Sequence, residues 1–338
     1  MPQPGLSVSP SSTSATQAAV HPVEPLFHFV WYGEVLPDFA LIAIASALRQ
    51  NPGTSALLWH QPALKQSAAL VRLQSQGLSL RAIDFPALLE SAAGSEAPFD
   101  GSKLGRIYQG LKAPAARSNL LRLLVIYLYG GIYLDTDTLT LKKLDSLRAL
   151  GGFCGQEHVL WPSGRSKFRP DFLLLDLLRL GYGRLPGGAS LHRQLLRFYS
   201  QSANNAVLGL SRGHPFSAEC LKAAAHIPER EWMTRYRFGT HLLQQQLAIE
   251  GASGARARTT QLPPDYFYPQ GPVVSLHYFR KTRSPEQATK QLVFENTHVI
   301  HWYASVAQLV GRGSAHIRLN ERREVYSHLC APYLSLFE

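Results

Sequence analysis

Cysteine is scarce in this chain of 338 residues: only Cys154, Cys220 and Cys330 occur, and no two form a CxxC pair. Three scattered thiols exclude a disulfide framework and favour a reducing compartment. Long uncharged apolar runs are also missing. The longest candidate, Leu120 to Leu134, is broken by Arg122 and by Gly130-Gly131, and falls short of the roughly 18–20 apolar residues of a membrane-spanning helix. The first 25 residues hold no Lys or Arg and no apolar h-region, which excludes a Sec-type signal peptide. Their Pro, Ser, Thr and Ala content reads as a disordered leader over residues 1–25.

Acidic residues are outnumbered, 23 against 34 Lys plus Arg, for a net charge of +11. Such a surplus suits anionic partners: nucleotides, acidic surfaces or nucleic acid. The cations are dispersed, as at Arg256 and Arg258, at Arg280, Lys281 and Arg283, and at Arg312, Arg318, Arg322 and Arg323. No helix-turn-helix, zinc-finger or RNA-recognition signature accompanies them, so a nucleic-acid partner is not expected. Hydrophobic residues at 45% and charged residues at 17% supply enough apolar matter for a sizeable core.

The pattern along the chain alternates strand and helix. Leu26–Trp31 (LFHFVW) reads as a buried strand and Phe39–Gln50 as a helix ending before Asn51-Pro52-Gly53; Ala56–Trp59 reads as a second strand. Helix, short strand and helix follow through Leu64–Leu89. This alternation predicts an α/β fold with a mostly parallel central sheet covered by helices. The later strands are expected at Val207–Leu210 and Val299–Tyr303. A main domain over residues 26–310 is followed by a basic, helical appendage over 311–338.

Residues 113–145 carry the most information. Pro114 opens AARSNLLRLLVIYLY, whose leucines recur at helical spacing. Gly130-Gly131 stops that helix. Ile132-Tyr133-Leu134 then reads as a central strand that delivers Asp135-Thr136-Asp137 to the sheet edge, where ligands of open α/β sheets bind. Two carboxylates two residues apart on a bending strand end can approach one divalent cation, Mn²⁺ or Mg²⁺, which prefers oxygen ligands and keeps positions for phosphates. IYLDTDT also fits the strand–DxDxT pattern of aspartyl-phosphate phosphatases. That mechanism needs a second acidic pair, and the aspartates after Thr138 (Asp145, Asp171, Asp176 and Asp265) form none.

AARSNLLRLLVIYLYGGIYLDTD resembles the DXD sugar-nucleotide segment of glycosyltransferase family 32 and of the catalytic domains of large clostridial glucosylating toxins. LFHFVWYG resembles the first strand of that superfamily. Asn205 with His214-Pro215 resembles its mid-chain motif, and His301-Trp302 with Ser305 its C-terminal element. The resemblance spans residues 26–306 in the same order. It implies a GT-A fold, Rossmann-like, and transfer with retention of configuration at the sugar carbon.

The same resemblance implies roles for single residues. Trp31 would stack on the nucleotide base, a core aromatic being the other reading. Asp135 would contact ribose and sugar, and Asp137 the metal. His301 and Ser305 would complete the metal and diphosphate shell, although a histidine on a strand can also be a core residue. Ser118, Asn119 and Arg122 share one helical face, where relatives carry an Asp and an Arg that hold the donor sugar. Asn119 stands at the Asp position and lacks its charge. Arg122 otherwise reads as a surface arginine lying along the helix. Asn205 resembles the family's sugar-contacting asparagine, with Asn204 as the register alternative. Phe238-Gly239-Thr240-His241 matches the relatives poorly and is assigned no role; Trp59 reads as core.

The expected activity is a metal-dependent hexosyl or N-acetylhexosaminyl transfer from UDP-glucose, UDP-galactose or UDP-GlcNAc to a hydroxyl. No dedicated nucleophile or general base is expected, the leaving diphosphate itself receiving the acceptor proton. The acceptor is a glycan, as in surface-polysaccharide assembly, or a host-protein side chain, as with injected toxins. The expected location is the cytoplasm, or a host cell after delivery. A sugar-nucleotide-binding protein without turnover is the alternative that Asn119 keeps open.

Overall fold

The computed structural model describes residues 21–94, 97–159, 187–234, 236–253, 259–272, 274–309 and 323–338, with isolated positions between 173 and 185. Most of the expected leader lies outside the described residues, as do Asp171, Asp176, Arg256, Arg258, Arg312, Arg318 and Arg322. The leader's expected end at residue 25 is too late. Val23 is fully buried and its amide donates to the Arg148 carbonyl at 2.9 Å.

Three strand–helix units come first: β1 (Leu26–Trp31) and α1 (Asp38–Gln50), β2 (Ser55–His60) and α2 (Ala68–Ser75), β3 (Leu78–Ala82) and α3 (Phe85–Ala93). After α4 (Gly101–Gly110), α5 (Pro114–Tyr129) leads through Gly130 into β4 (Gly131–Leu134). Then follow β5 (Thr138–Thr140), β6 (Gly152–Val159), β7 (Ser200–Leu210), β8 (Thr260–Leu262) and β9 (Val299–His301). The main sheet has the order β3-β2-β1-β4-β7-β6-β8. Only β7 opposes the others, pairing antiparallel with both β4 and β6. This is the mostly parallel, helix-flanked sheet that the alternation of strand and helix predicts.

Two expectations need correction. The strand at 299–303 ends at His301 and joins no main-sheet strand; β9 pairs with β5 in a separate two-stranded sheet, with His301 opposite Thr138. Its partner was set by the turn after β4, which no local pattern announces. The C-terminal segment is not an appendage where it is described. Val325, Tyr326, Cys330, Tyr333 and Leu336 are buried in the same cluster as Phe27, Phe29 and α1. Tyr333 meets Arg49 at the end of α1, while Tyr326 packs on Phe279 and Trp302, the latter against Phe39 of α1; within α1 every residue from Phe39 to Leu48 is buried. A helix that is apolar almost all round belongs inside.

The glycine pair is required for different reasons than stopping a helix alone. Gly130 takes φ +64° at the end of α5, and Gly131 takes φ +104° at the start of β4. A Cβ on Gly131 would lie 2.4 Å from the Leu26 carbonyl oxygen of the neighbouring strand. His28 seals this junction. Its Nε2 lies 2.7 Å from the Gly130 carbonyl oxygen, and its Nδ1 accepts from Trp59 Nε1 at 3.1 Å. That pattern fixes a neutral ring with the proton on Nε2. It also ties Trp59 into the core, as its sequence context indicates.

Burial holds the His28 imidazole down at about pH 4, below its ordinary 6.5, with the Gly130 carbonyl pulling weakly the other way. The unfolded chain therefore binds more protons than the folded one between those values, and stability falls as pH drops from 6.5 towards 4. The expected loss from His28 is about 3 kcal/mol, at 1.36 kcal/mol per pH unit. Urea unfolding at pH 7, 5.5 and 4.5 should show it. His28→Gln should flatten the slope in part, since burial depresses His214 to about 4 as well. An unchanged slope would remove His28 from this account.

Candidate active site

The site follows from strand alternation. Along β4, Ile132 and Leu134 point into the cluster around α1, while Tyr133 points into the cluster around α5. Asp135 continues the Tyr133 side and meets α5. Its Oδ1 accepts from Tyr133 Oη at 2.8 Å and from Arg122 Nη2 at 3.0 Å. Thr138 closes the following turn, its amide and hydroxyl donating to the Asp135 carbonyl at 3.2 and 2.7 Å. This turn swings Asp137 away from α5 and towards β9. There Asp137 Oδ1 lies 3.1 Å from His301 Nε2, and Oδ2 accepts from the Ala304 amide at 2.8 Å.

Arg122 is no surface residue. It is 4% exposed, lies flat over the Tyr133 ring at 4.2 Å, and donates to the Asn205 carbonyl as well as to Asp135. It is therefore neither lying along the helix surface nor left without a carboxylate. One turn earlier on α5, the Asn119 side-chain carbonyl accepts from the Asn205 amide at 2.9 Å, and Ser118 Oγ lies 3.2 Å from the Tyr133 hydroxyl. The expected helical face thus forms one hydrogen-bonded wall with β4 and β7. Register explains why Asn205 reaches it. Between Cys154 and Gly155 the pairing of β6 with β7 shifts, so that Cys154 faces Leu208 while Gly155 faces Asn204. Residues 205–207 are released from β6, and the Ala206 carbonyl accepts from the Asp135 amide at 2.8 Å. Asn204, the register alternative, instead turns back to accept from the Ala206 amide.

Three expected residues stand apart from this wall. Trp31 ends β1, which runs parallel to β4 with His28 opposite Tyr133, so it leaves the sheet at the same edge as the carboxylates. Its indole donates to the Val35 carbonyl at 2.9 Å and is half-buried against Phe39. Ser305 is exposed beside Ala304. His214 does not reach the site: its ring accepts from the Phe216 amide and caps the helix Pro215–Ala224. Two contributors carried no usable signal in the sequence. A Cβ on Gly239 would lie 2.8 Å from the Asn119 amide nitrogen and 3.0 Å from that of Asn205, so the poorly matching Phe-Gly-Thr-His run provides the close approach. Glu157 accepts from the Tyr303 hydroxyl at 2.8 Å.

Electrostatics set the three cation-facing groups apart. Burial raises the Asp135 carboxyl, an effect Arg122 opposes and Asp137 reinforces. Burial would raise Asp137 too, but the facing His301 holds it below the usual carboxylate range. Burial pushes His301 down, and Asp137 more than compensates, leaving the imidazole above its ordinary value. Asp135, Asp137 and His301 each present a ligand atom within 4.8 Å of the others, a cluster of the kind that can hold a metal ion. Side-chain exposures of 26% for Asp135 and 19% for Asp137 leave the carboxylates open to a ligand. Two carboxylate oxygens and one imidazole suit Mn²⁺ or Mg²⁺, and a cation there would displace the proton that Asp137 and His301 share. No second acidic cluster of this kind exists among the described residues.

A family model described as a glycosyltransferase sugar-binding region containing the DXD motif matches residues 37–151. That span holds α1, α5, β4 and both carboxylates. The chain is also similar, at 23% identity over 121 residues, to part of "Subversion of eukaryotic traffic protein A" of Legionella pneumophila. The match covers 35% of this chain and 17% of that protein, so this chain spans less than a fifth of the relative's length. Similar solved structures include the PaToxG glycosyltransferase, with a TM-score of 0.44 and 16% identity over 68% of this chain and 70% of that one. The UDP-bound glycosyltransferase domain of the YGT toxin gives 0.36 and 15%, over 87% and 79%. No helix among the described residues is long and apolar enough to cross a membrane.

Proposed function

We propose that this chain is a metal-dependent, retaining glycosyltransferase that moves a hexose or N-acetylhexosamine from a UDP sugar to a hydroxyl. The observation that carries the reading is the joining at the sheet edge of Asp135 and Asp137, inside the matched region, with His301, 150 residues beyond its end. A divalent cation held there would neutralise charge developing on the departing diphosphate. Trp31, at the same edge, offers an indole face for the base. Arg122 holds Asp135 in place and adds the one positive charge of the wall. Asn119 and Asn205, already joined to each other, offer neutral amides to the sugar hydroxyls. Ser305 stands exposed beside the Ala304 amide that fixes Asp137, on the diphosphate side. No described side chain is assigned as nucleophile or general base; positioning and electrostatics supply the catalysis.

For the acceptor, a protein hydroxyl in a eukaryotic host is favoured over a glycan. The support is the Legionella relative, whose name describes interference with eukaryotic traffic; delivery into a host cell is part of the same proposal. The pairing of Asn119 with Asn205 argues against a binding-only protein, because the neutral residue is integrated into the wall rather than left as a gap.

The test is a panel of UDP-glucose, UDP-galactose and UDP-GlcNAc with Mn²⁺, reading UDP release with and without EDTA, followed by mass shifts of proteins in a eukaryotic lysate. One donor should be hydrolysed in a cation-dependent way. Tight UDP binding with no hydrolysis of any donor and no mass shift would favour the binding protein.

A further inference from the structure

A metal-ligating histidine normally hands its second ring nitrogen to a carboxylate, a carbonyl or water, which fixes how the ring faces the metal. His301 does not follow this pattern. Its Nε2 faces Asp137, while its buried Nδ1 finds no partner among the described residues. Some other agency must orient the ring.

Two tyrosines enclose it. Tyr268 meets the imidazole edge-on, with centroids 5.8 Å apart and planes at 85°. Tyr303 lies closer, at 4.1 Å and 54°. Both walls are anchored to the main sheet through their hydroxyls. Tyr268 Oη accepts from the Val207 amide of β7 at 3.0 Å. Tyr303 Oη donates to Glu157 Oε2 of β6 at 2.8 Å, and Glu157 in turn is hydrogen-bonded by the Asn204 side chain. Tyr303 also adopts φ +56°, a left-handed conformation that is costly for a bulky residue and persists only when its surroundings enforce it. The strained backbone turns the phenol from β9 towards β6, where Glu157 waits.

We propose that Glu157 is a positioning residue for the metal centre, acting through Tyr303 to hold His301 in an aromatic slot that replaces the missing Nδ1 hydrogen bond. This rests on the reading of Asp135, Asp137 and His301 as cation ligands. The slot couples the small sheet that carries His301 to the main sheet that carries Asp135. Loosening it frees the imidazole to rotate about a ring with no second tether, while leaving the ligands themselves intact.

The experiment measures Mn²⁺ affinity of the full chain with UDP present, from the paramagnetic signal of free Mn²⁺, alongside the Mn²⁺ dependence of UDP-sugar hydrolysis. Tyr303→Phe removes only the hydroxyl and preserves the ring; Glu157→Gln removes the charge of its acceptor. Each should weaken Mn²⁺ binding about tenfold, at the low end of the effect of outer partners on metal ligands. The double variant should be little worse than either, because both break one link. Turnover at saturating Mn²⁺ should return towards the parent value. Mn²⁺ affinity within twofold of the parent in Tyr303→Phe overturns the proposal, even if its melting temperature falls. His301→Ala separates the two levels of the argument. If it weakens Mn²⁺ while Tyr303→Phe does not, the slot fails and the metal centre stands. If His301→Ala leaves Mn²⁺ affinity unchanged, both fail.

Discussion

Asp137→Asn is expected to lower cation-dependent turnover by at least two to three orders of magnitude, roughly the cost of removing one preorganised electrostatic group. The substitution keeps the volume and one carbonyl oxygen, so the Ala304 amide at 2.8 Å retains an acceptor. It removes the charge that faces His301 at 3.1 Å and that completes the cation-facing set with Asp135. A neutral amide there makes a poorer ligand for a hard cation. Kinetics of UDP-sugar hydrolysis across a Mn²⁺ titration check this, on protein shown to unfold cooperatively. Parent-like rates after EDTA treatment and Mn²⁺ restoration would remove Asp137 from the centre.

The second large effect concerns stability. Gly131→Ala should destabilise the chain by at least about 3 kcal/mol, combining backbone strain at φ +104° with a forced contact. Its Cβ would sit 2.4 Å from the Leu26 carbonyl oxygen and 3.2 Å from His28 Nε2. Neither neighbour can yield, because one is strand backbone and the other is pinned to Gly130 and Trp59. Gly53 supplies the control, with φ +87° and nothing within 4 Å of a Cβ. Gly53→Ala should cost only the strain, about 1–2 kcal/mol. Urea unfolding of the three proteins decides it; equal losses at the two positions would show that the close approach to β1 carries no energy.

The parts of this molecule that were legible in its sequence are those whose signals are local. Proline at the start of α5, leucines at helical spacing, a glycine stop and a three-residue apolar strand place Asp135 and Asp137 at a sheet edge from the sequence alone. The early strand–helix units are equally local, and their boundaries differ from expectation by only a few residues. What stayed hidden depends on pairings distant in sequence. That β9 pairs with β5 rather than with the main sheet joins residues about 160 positions apart. The register shift that releases Asn205 exists only where β6 and β7 meet. Burial of Arg122 follows from the side on which α5 packs, and charge alone pointed to the surface. Gly239 and Glu157 act through what approaches them, Gly239 by having no side chain and Glu157 by receiving Tyr303, and neither leaves a pattern in its own neighbourhood. Tyr333 and its neighbours read as an appendage because one of their partners, Arg49 of α1, lies almost 300 residues earlier.

The two-stranded sheet of β5 and β9 has a temporal consequence. A ribosome makes this chain from its first residue onward, and seven strands of the main sheet are complete once Leu262 has emerged. At that moment both carboxylates stand at the sheet edge with no imidazole opposite. His301 arrives only when the next 39 residues have been made and Val299–His301 has paired with Thr138–Thr140. On the reading of these three groups as cation ligands, the order of synthesis withholds the third until β9 has formed, and chains ending before β9 would carry the wall of α5, β4 and β7 without it. On that same reading, chains cut short in this way would lack cation-dependent turnover, and the closing of a three-residue ribbon would complete the centre.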